Sequence, residues 1–174
     1  MNGETPSSGG SDRDRYWGLG ATVVVVALYH LLFFNRYFPL SEGWFSAYGH
    51  LIRTGAVPYR DFYLFVTPLY PLKIAAFGLL FGDAFLPLRA LGVLLVCGIA
   101  TLTYLILVAR FTPFAASTAT IVSTIYYQSG VAHIGYDFIQ FVTLYALLSA
   151  YCLVKLIRAA ARSEERRVGK ECRL

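Results

Sequence analysis

Long runs of apolar residues are the feature that most limits how this chain can fold. A helix needs about 20 apolar residues to cross the roughly 30 Å hydrocarbon core of a bilayer. Only 14% of the 174 residues are charged and the mean hydropathy is +0.57, which is too apolar for a soluble domain of this size. The sequence therefore predicts an all-α fold, a polytopic membrane helical bundle with about four transmembrane helices. These spans are predicted at 17 to 38, 88 to 109, 112 to 129 and 138 to 157.

The N-terminal end has the opposite character. Residues 1–16 are polar and rich in Gly and Ser, so they predict a disordered tail. The run that follows is too long for a signal-peptide core and predicts an uncleaved anchor. Arg13 and Arg15 precede this anchor, and the positive-inside rule then predicts a cytoplasmic N-terminus in an integral protein of the cell (inner) membrane. The net charge of +5 belongs to flanks and loops, and we expect no nucleic-acid partner.

The first predicted outer loop contains two short helices. Ser41 can cap a helix whose first turn holds Glu42 and which Gly55 ends, and this helix is predicted to be amphipathic and to lie at the membrane interface. The second, at 66–82, begins with two prolines and is predicted to dip into the outer leaflet, with a full span as the alternative. The apolar positions of the first helix are Trp44, Ala47, Tyr48 and Leu51.

The number of spans decides which loops share a face of the membrane. With four spans, Glu42, Asp61 and Asp137 all lie on the outer face, whereas five spans would place Asp137 opposite Glu42. Four spans satisfy the positive-inside rule better because they place the basic residues that follow the later spans in the cytoplasm. Those residues are Arg110, Lys155 and Arg158.

Small residues in the run at 112–129 predict close helix packing. Ala115 and Ala119 have the small-xxx-small spacing that allows two membrane helices to approach each other. This run is therefore predicted to be an inner helix of the bundle.

Charged side chains near hydrocarbon need either a partner or a function. For Arg60 and Asp61 a structural ion pair and a substrate-binding role remain open alternatives. His133 and Asp137 can pair on a helix, but two such residues alone do not predict a metal site. The arginines at the predicted span ends, interpreted as snorkelling anchors, are Arg36, Arg53 and Arg89.

The segment "SEGWFSAYGHLIRTGAVPYRDFYLFVTPLYP" and the later "HIGYDFIQF" resemble a known family. They are similar in order to the first outer loop and a later acidic loop of membrane glycosyltransferases of the GT-C superfamily, close to glycosyltransferase family 39 and the protein-mannosyltransferases. The resemblance covers residues 18 to about 158. The chain departs from the family in having Ser41-Glu42 in place of an Asp-Glu pair, and Val66 and Thr67 before the first proline of the second short helix.

The resemblance implies transfer of a sugar from a polyprenyl-phosphate donor to a lipid or protein acceptor at the outer face of the membrane. In this interpretation Glu42 is the catalytic base and Asp137 a second catalytic acidic residue. The family resemblance leaves the cofactor open, with a divalent cation as the candidate. The candidate phosphate-binding and substrate-binding residues are Arg60, Asp61, Lys73 and His133.

The end of the chain changes composition abruptly. Residues 159–174 predict a basic tail, and from residue 162 the string "RSEERRVGKEC" resembles a translated sequencing adapter. The credible chain is then residues 17–158, an N-terminal fragment of a GT-C-like membrane domain. The alternatives are a non-catalytic polytopic protein and a transporter fragment. Transport predicts charges in the middle of spans, and the runs at 90–109 and 138–154 contain none.

Overall fold

The structure, a computed structural model, describes residues 12–34, 42–82, 85–129 and 138–171. The described residues form six helices and no strand, which confirms the all-α prediction. The helices are α1 (Asp12–Leu32), α2 (Trp44–Arg53), α3 (Leu69–Phe81), α4 (Phe85–Leu107), α5 (Pro113–Ser129) and α6 (Phe138–Glu171).

Three helices of the described chain are long and apolar enough to cross a membrane: Asp12–Leu32, Phe85–Leu107 and Ile139–Ala161. They are compatible with an integral membrane protein. The predicted fourth span corresponds to α5, which has 17 residues and falls short of that length. The short helix α3 has 13 residues, as expected for a segment that does not cross on its own.

The ends of the first and last helices differ from the predicted boundaries. Residues 12–16, predicted to belong to the polar tail, form the first turns of α1, and this helix ends at Leu32 rather than near residue 38. The last helix, α6, continues without a break through 159–171, where a separate basic tail was predicted. Helical propensity of the Ala-, Arg- and Glu-rich sequence is sufficient reason for this continuation.

Contacts between the long helices fix their relative directions. Near the start of α1, Tyr104 Oη donates to the carbonyl oxygen of Arg15 at 2.8 Å, and Ser117 Oγ donates to that of Gly18 at 3.2 Å. Further along α1, buried Val26 packs with Val96, and Ile121 packs against the same cluster. Helix α4 therefore runs antiparallel to α1, whereas α5 runs parallel to it.

The face of α5 that packs inward is shifted by one residue from the predicted face. Ala115 and Ala119 are exposed, so the prediction that they pack against a neighbouring helix is wrong. Spacing alone could not identify the inner face, because small residues occur on several faces of this Ser-, Thr- and Ala-rich helix. The buried residues are Ala116, Thr120 and Thr124, which lie one helical turn apart.

Helices α2 and α3 run in the same direction and are held together by a close contact at Gly49. A Cβ at this position would lie 2.7 Å from Ile74 Cγ2, so only glycine permits the observed approach. At the far end of the pair, Arg53 Nη1 lies 3.5 Å from the carbonyl oxygen of Gly78. Gly55, at φ 98°, follows the end of α2 as predicted.

The face of α2 that contacts the protein is also different from the predicted apolar face. Phe45 and Gly49 are buried, while Trp44, Ala47 and Leu51 are exposed. The amphipathic pattern thus indicates which side of α2 remains uncovered by the rest of the chain.

The contact between Gly18 and Tyr104 provides a test of this helix packing. A Cβ on Gly18 would lie 2.5 Å from the buried Tyr104 Oη, whereas one on Gly20 of the same helix would meet nothing within 4 Å. We expect Gly18→Leu to lower the free energy of unfolding by about 1–3 kcal/mol through overpacking. Thermal unfolding in detergent measures the effect.

Gly20→Leu is the matched control, since it makes the same change in helix propensity and volume on α1. It should leave the melting temperature at or above that of the parent. Equal destabilisation by the two variants would contradict the packing of α1 against α4.

Candidate functional site

A buried ion pair joins three segments at the end of the bundle where α2 and α3 lie, here called the α2–α3 end. Arg89 Nη2 donates to Glu42 Oε2 at 2.8 Å, and the side chains are 2% and 0% exposed. Arg89 Nη1 also donates to the carbonyl oxygen of Phe34 at 2.7 Å and reaches that of Phe33 at 3.3 Å. One guanidinium on α4 therefore binds both the end of α1 and Glu42, which lies two residues before α2.

The position of Arg89 corrects its interpretation as a snorkelling anchor. Its guanidinium points into the protein, with the ring centroid of Phe85 4.7 Å from Cζ, rather than toward an interface. Inside the fold Arg89 donates charge-assisted hydrogen bonds to one carboxylate and two backbone carbonyl oxygens. These bonds replace the hydrogen bonds that the guanidinium would make to water. Arg53, assigned the same role, instead spans the α2–α3 pair. Arg36 lies outside the described residues.

Glu42 is the predicted catalytic base, and the structure places its carboxylate fully inside the protein. In this arrangement the carboxylate stabilises the fold by holding Arg89. To accept a proton from an acceptor hydroxyl, it would have to separate from the guanidinium and become accessible. The assignment as a base stays a prediction, with this rearrangement as its requirement.

An aromatic cluster holds the loop between α2 and α3 against the bundle. The Phe45 and Tyr70 rings meet edge to face with centroids 4.5 Å apart, and the Tyr48 and Phe62 rings stack at 5.5 Å. Tyr70 also meets Phe141 of α6 at 5.4 Å. Such pairs add specific geometry to apolar burial, so they fix how the loop and α3 sit against α6.

Arg60 and Asp61 form a bidentate pair in that loop. Arg60 Nε and Nη2 donate to the Asp61 carboxylate at 2.9 and 2.8 Å, and the side chains are 69% and 37% exposed. The Val57 amide donates to Asp61 Oδ2 at 2.7 Å. The guanidinium, together with this amide, lowers the pKa of Asp61 below the ordinary value for aspartate. Asp61 therefore orients Arg60 and closes the turn at the same time.

The turn itself contains a strained residue. Tyr59 has φ 66°, a backbone conformation that bulky residues rarely adopt. Its amide donates to the carbonyl oxygen of Phe62 at 2.9 Å and its hydroxyl to that of Val66 at 3.1 Å. These bonds hold the loop in one conformation and present Arg60 to the surroundings.

Lys73 bridges α3 and α6. Its Nζ donates to Tyr145 Oη at 2.7 Å and lies 4.3 and 4.8 Å from the ring centroids of Tyr145 and Phe141. The lysine is half-buried by these contacts and keeps part of its surface accessible. A cation held in this way, beside exposed apolar helix surface, can receive an anionic group at the edge of the bundle.

The predicted site residues are therefore distributed over three local groups. Arg60 contacts Asp61, Glu42 contacts Arg89, and Lys73 contacts Tyr145. The aromatic cluster reaches the last of these groups through Phe141, over whose ring Lys73 lies. The two remaining predicted residues, His133 and Asp137, lie outside the described residues.

Sequence reasoning missed Tyr145 and the true role of Arg89. Tyr145 lies four residues after Phe141 in an apolar run. An aromatic residue in such a run is ordinarily interpreted as a core residue or as one that faces lipid. The signal for Arg89 was a charge placed inside the first turns of a long span. Its partner lies 47 residues away in the sequence, so spacing could not identify it.

The described part of the chain contains no group of three or more His, Cys, Asp or Glu side chains that could hold a metal ion. The divalent cation remains a prediction. No protein-family model, curated protein or solved structure matches the chain.

The buried ion pair can be tested by a double-mutant cycle. We expect Glu42→Leu and Arg89→Met each to lower the free energy of unfolding by about 3–5 kcal/mol, because each leaves a buried charge without its partner. The double variant should lose markedly less free energy of unfolding than the sum of the losses in the two single variants. Thermal unfolding of all four proteins in one detergent measures the coupling.

The exposed pair provides the control for this cycle. Arg60→Gln and Asp61→Asn should change the melting temperature little, alone or together, because water solvates the remaining partner. Strictly additive losses for Glu42 and Arg89 would show that the two side chains do not interact.

Proposed function

We propose that the chain is part of a membrane glycosyltransferase that uses a polyprenyl-phosphate sugar as donor. The observation that carries the proposal is Lys73, a half-buried cation held by Tyr145 and Phe141 beside apolar helix surface. A polyprenyl phosphate has a matching chemistry, with an anionic phosphate attached to a long hydrocarbon chain. Arg60, oriented by Asp61, supplies a second cation, which is exposed, in the α2–α3 loop.

The reaction requires a base and a stabilised leaving group. The oxygen of an acceptor hydroxyl attacks the anomeric carbon of the donor, and the bond from that carbon to the phosphate oxygen breaks. The hydroxyl proton passes to a carboxylate, and the polyprenyl phosphate leaves with its charge stabilised by cations. Glu42 and Asp137 are the proposed carboxylates, and Glu42 acts only after it separates from Arg89.

The arrangement of charges supports an orientation in the membrane. Arg15, Lys155 and Arg158 lie together at the end of the bundle opposite α2 and α3, here called the basic end. The positive-inside rule places this end in the cytoplasm and the α2–α3 end outside. Because α5 runs parallel to α1 and leads away from the basic end, we propose that it is the fourth span.

The burial of Glu42 favours a second candidate function. The Glu42 carboxylate is fully buried with Arg89, as expected for an ion pair with a structural role. In a non-catalytic membrane protein, Glu42 would have this structural role alone. Such a protein would bind polyprenyl phosphate without transferring a sugar. Turnover of a polyprenyl-phosphate sugar by the reconstituted protein distinguishes the two candidates.

The proposed phosphate contact makes a testable prediction. Tritiated polyprenyl phosphate binding to the protein in neutral-lipid nanodiscs should weaken about tenfold in Lys73→Gln, since a charge-assisted contact to phosphate is lost. Lys73→Arg should retain most of the affinity. Arg110→Gln removes an equal charge at the basic end and should bind like the parent.

Unchanged binding by Lys73→Gln would contradict the proposed site. Equal weakening in Lys73→Gln and Arg110→Gln would show that net charge, rather than a positioned cation, governs binding.

The orientation has its own test by cysteine labelling. In a background with Cys97, Cys152 and Cys172 replaced by serine, Tyr63→Cys should react with an impermeant maleimide on intact cells. Arg110→Cys should react only after permeabilisation. Tyr63 and Arg110 are both exposed in the structure, so access from the aqueous phase decides the outcome. The reverse pattern would overturn the proposed orientation.

A further inference from the structure

A cavity of about 380 Å³ opens at the basic end, between α4 and α6 and beside the start of α1. We refer to it as the basic cavity. Its polar wall contains three cations, Arg15 of α1 with Lys155 and Arg158 of α6. None of the described residues that line it is acidic. The cavity thus concentrates positive charge without a carboxylate from its own wall to neutralise it.

The fold holds these cations around the cavity. The carbonyl oxygen of Arg15 accepts a hydrogen bond from Tyr104 Oη at 2.8 Å, which fixes this turn of α1 to α4. Lys155 Nζ lies 5.3 Å from the ring centroid of Tyr151, which also lines the cavity. Lys155 and Arg158 are exposed and lie about one helical turn apart on α6. Both side chains are therefore accessible to a ligand.

The other wall of the cavity is apolar. Leu105 and Ile106 of α4 face Val154 of α6 across it. The apolar surface continues on α6, where Leu156 is 67% and Ile157 60% exposed. A ligand that fits both walls has an anionic head and hydrocarbon chains. A soluble phosphate compound would leave the apolar wall unused.

We propose that the basic cavity binds the phosphate headgroup of an anionic phospholipid, whose acyl chains lie along the apolar surface of α6. The three cations contact the phosphate oxygens, and the site links α1 to α6 through the shared lipid. The inference rests on the helices of the basic end. It does not depend on the proposed glycosyltransferase activity or on any residue of the α2–α3 end.

Native mass spectrometry of the full chain with added phosphatidylglycerol or phosphatidylcholine tests the proposal. We expect one phosphatidylglycerol retained per chain, in preference to phosphatidylcholine. Lys155→Gln/Arg158→Gln should weaken its retention about tenfold or more, because two cations near the membrane surface are lost. Arg13→Gln/Arg110→Gln is the matched control, since it removes the same charge at the same end from exposed residues that do not line the cavity.

A second variant tests the cavity without changing charge. Ala109→Leu adds apolar volume to the lining and should reduce retention of phosphatidylglycerol while all three cations remain. Equal loss of phosphatidylglycerol retention in the two double variants would overturn the proposal. So would full retention of the lipid by both Ala109→Leu and Lys155→Gln/Arg158→Gln, each tested separately. Displacement of the lipid by millimolar inorganic phosphate would also overturn it, because the site would then recognise a free phosphate group.

Discussion

The ion pair between Glu42 and Arg89 is the constraint on which the α2–α3 end depends. Removing two charges from water costs several kcal/mol for each ion, so the pair is maintained only if its geometry is good and its remaining donors are used. Arg89 meets this condition in part: its terminal nitrogens bind Glu42 and the carbonyl oxygens at the end of α1, whereas its Nε is buried without a hydrogen-bond partner among the described residues. The start of α4, the end of α1 and the segment just before α2 cannot move independently without breaking these bonds.

The two ends of the bundle are stabilised by different interactions. At the α2–α3 end, large aromatic rings surround Phe45 and Tyr70, and the ion pair lies nearby. At the basic end, glycine and hydroxyl side chains let helices approach closely, as Tyr104 and Ser117 do at the backbone of α1. In a membrane the hydrophobic effect does not drive helices together, because lipid chains are as apolar as the side chains they contact. Helices that pack there therefore depend on close approach. Aromatic packing suits a loop segment that must be held on the bundle.

This division gives the molecule two cationic surfaces with different neighbours. Lys73 and Arg60 lie in the part of the fold whose geometry the aromatic cluster and the turn at Tyr59 determine. The cations of the basic cavity lie on long helices, beside apolar side chains that face outward. We propose a ligand with a phosphate and a hydrocarbon tail for each surface, but the contacts that position the two sets of cations share no residue.

The sequence by itself determined the all-helical membrane class, the short helices between the first two long ones and the stop of α2 just before Gly55. These features depend on local hydrophobicity and backbone preference. The sequence also placed Arg60 beside Asp61, because neighbours need no fold to meet. Only the tertiary structure decided that Glu42 binds Arg89, that Lys73 binds Tyr145 and that Ala116 rather than Ala115 packs inward. These contacts join residues far apart in the chain or choose between adjacent helix faces. Periodicity predicts that a helix forms, whereas its rotation and its neighbours depend on how all the helices pack together.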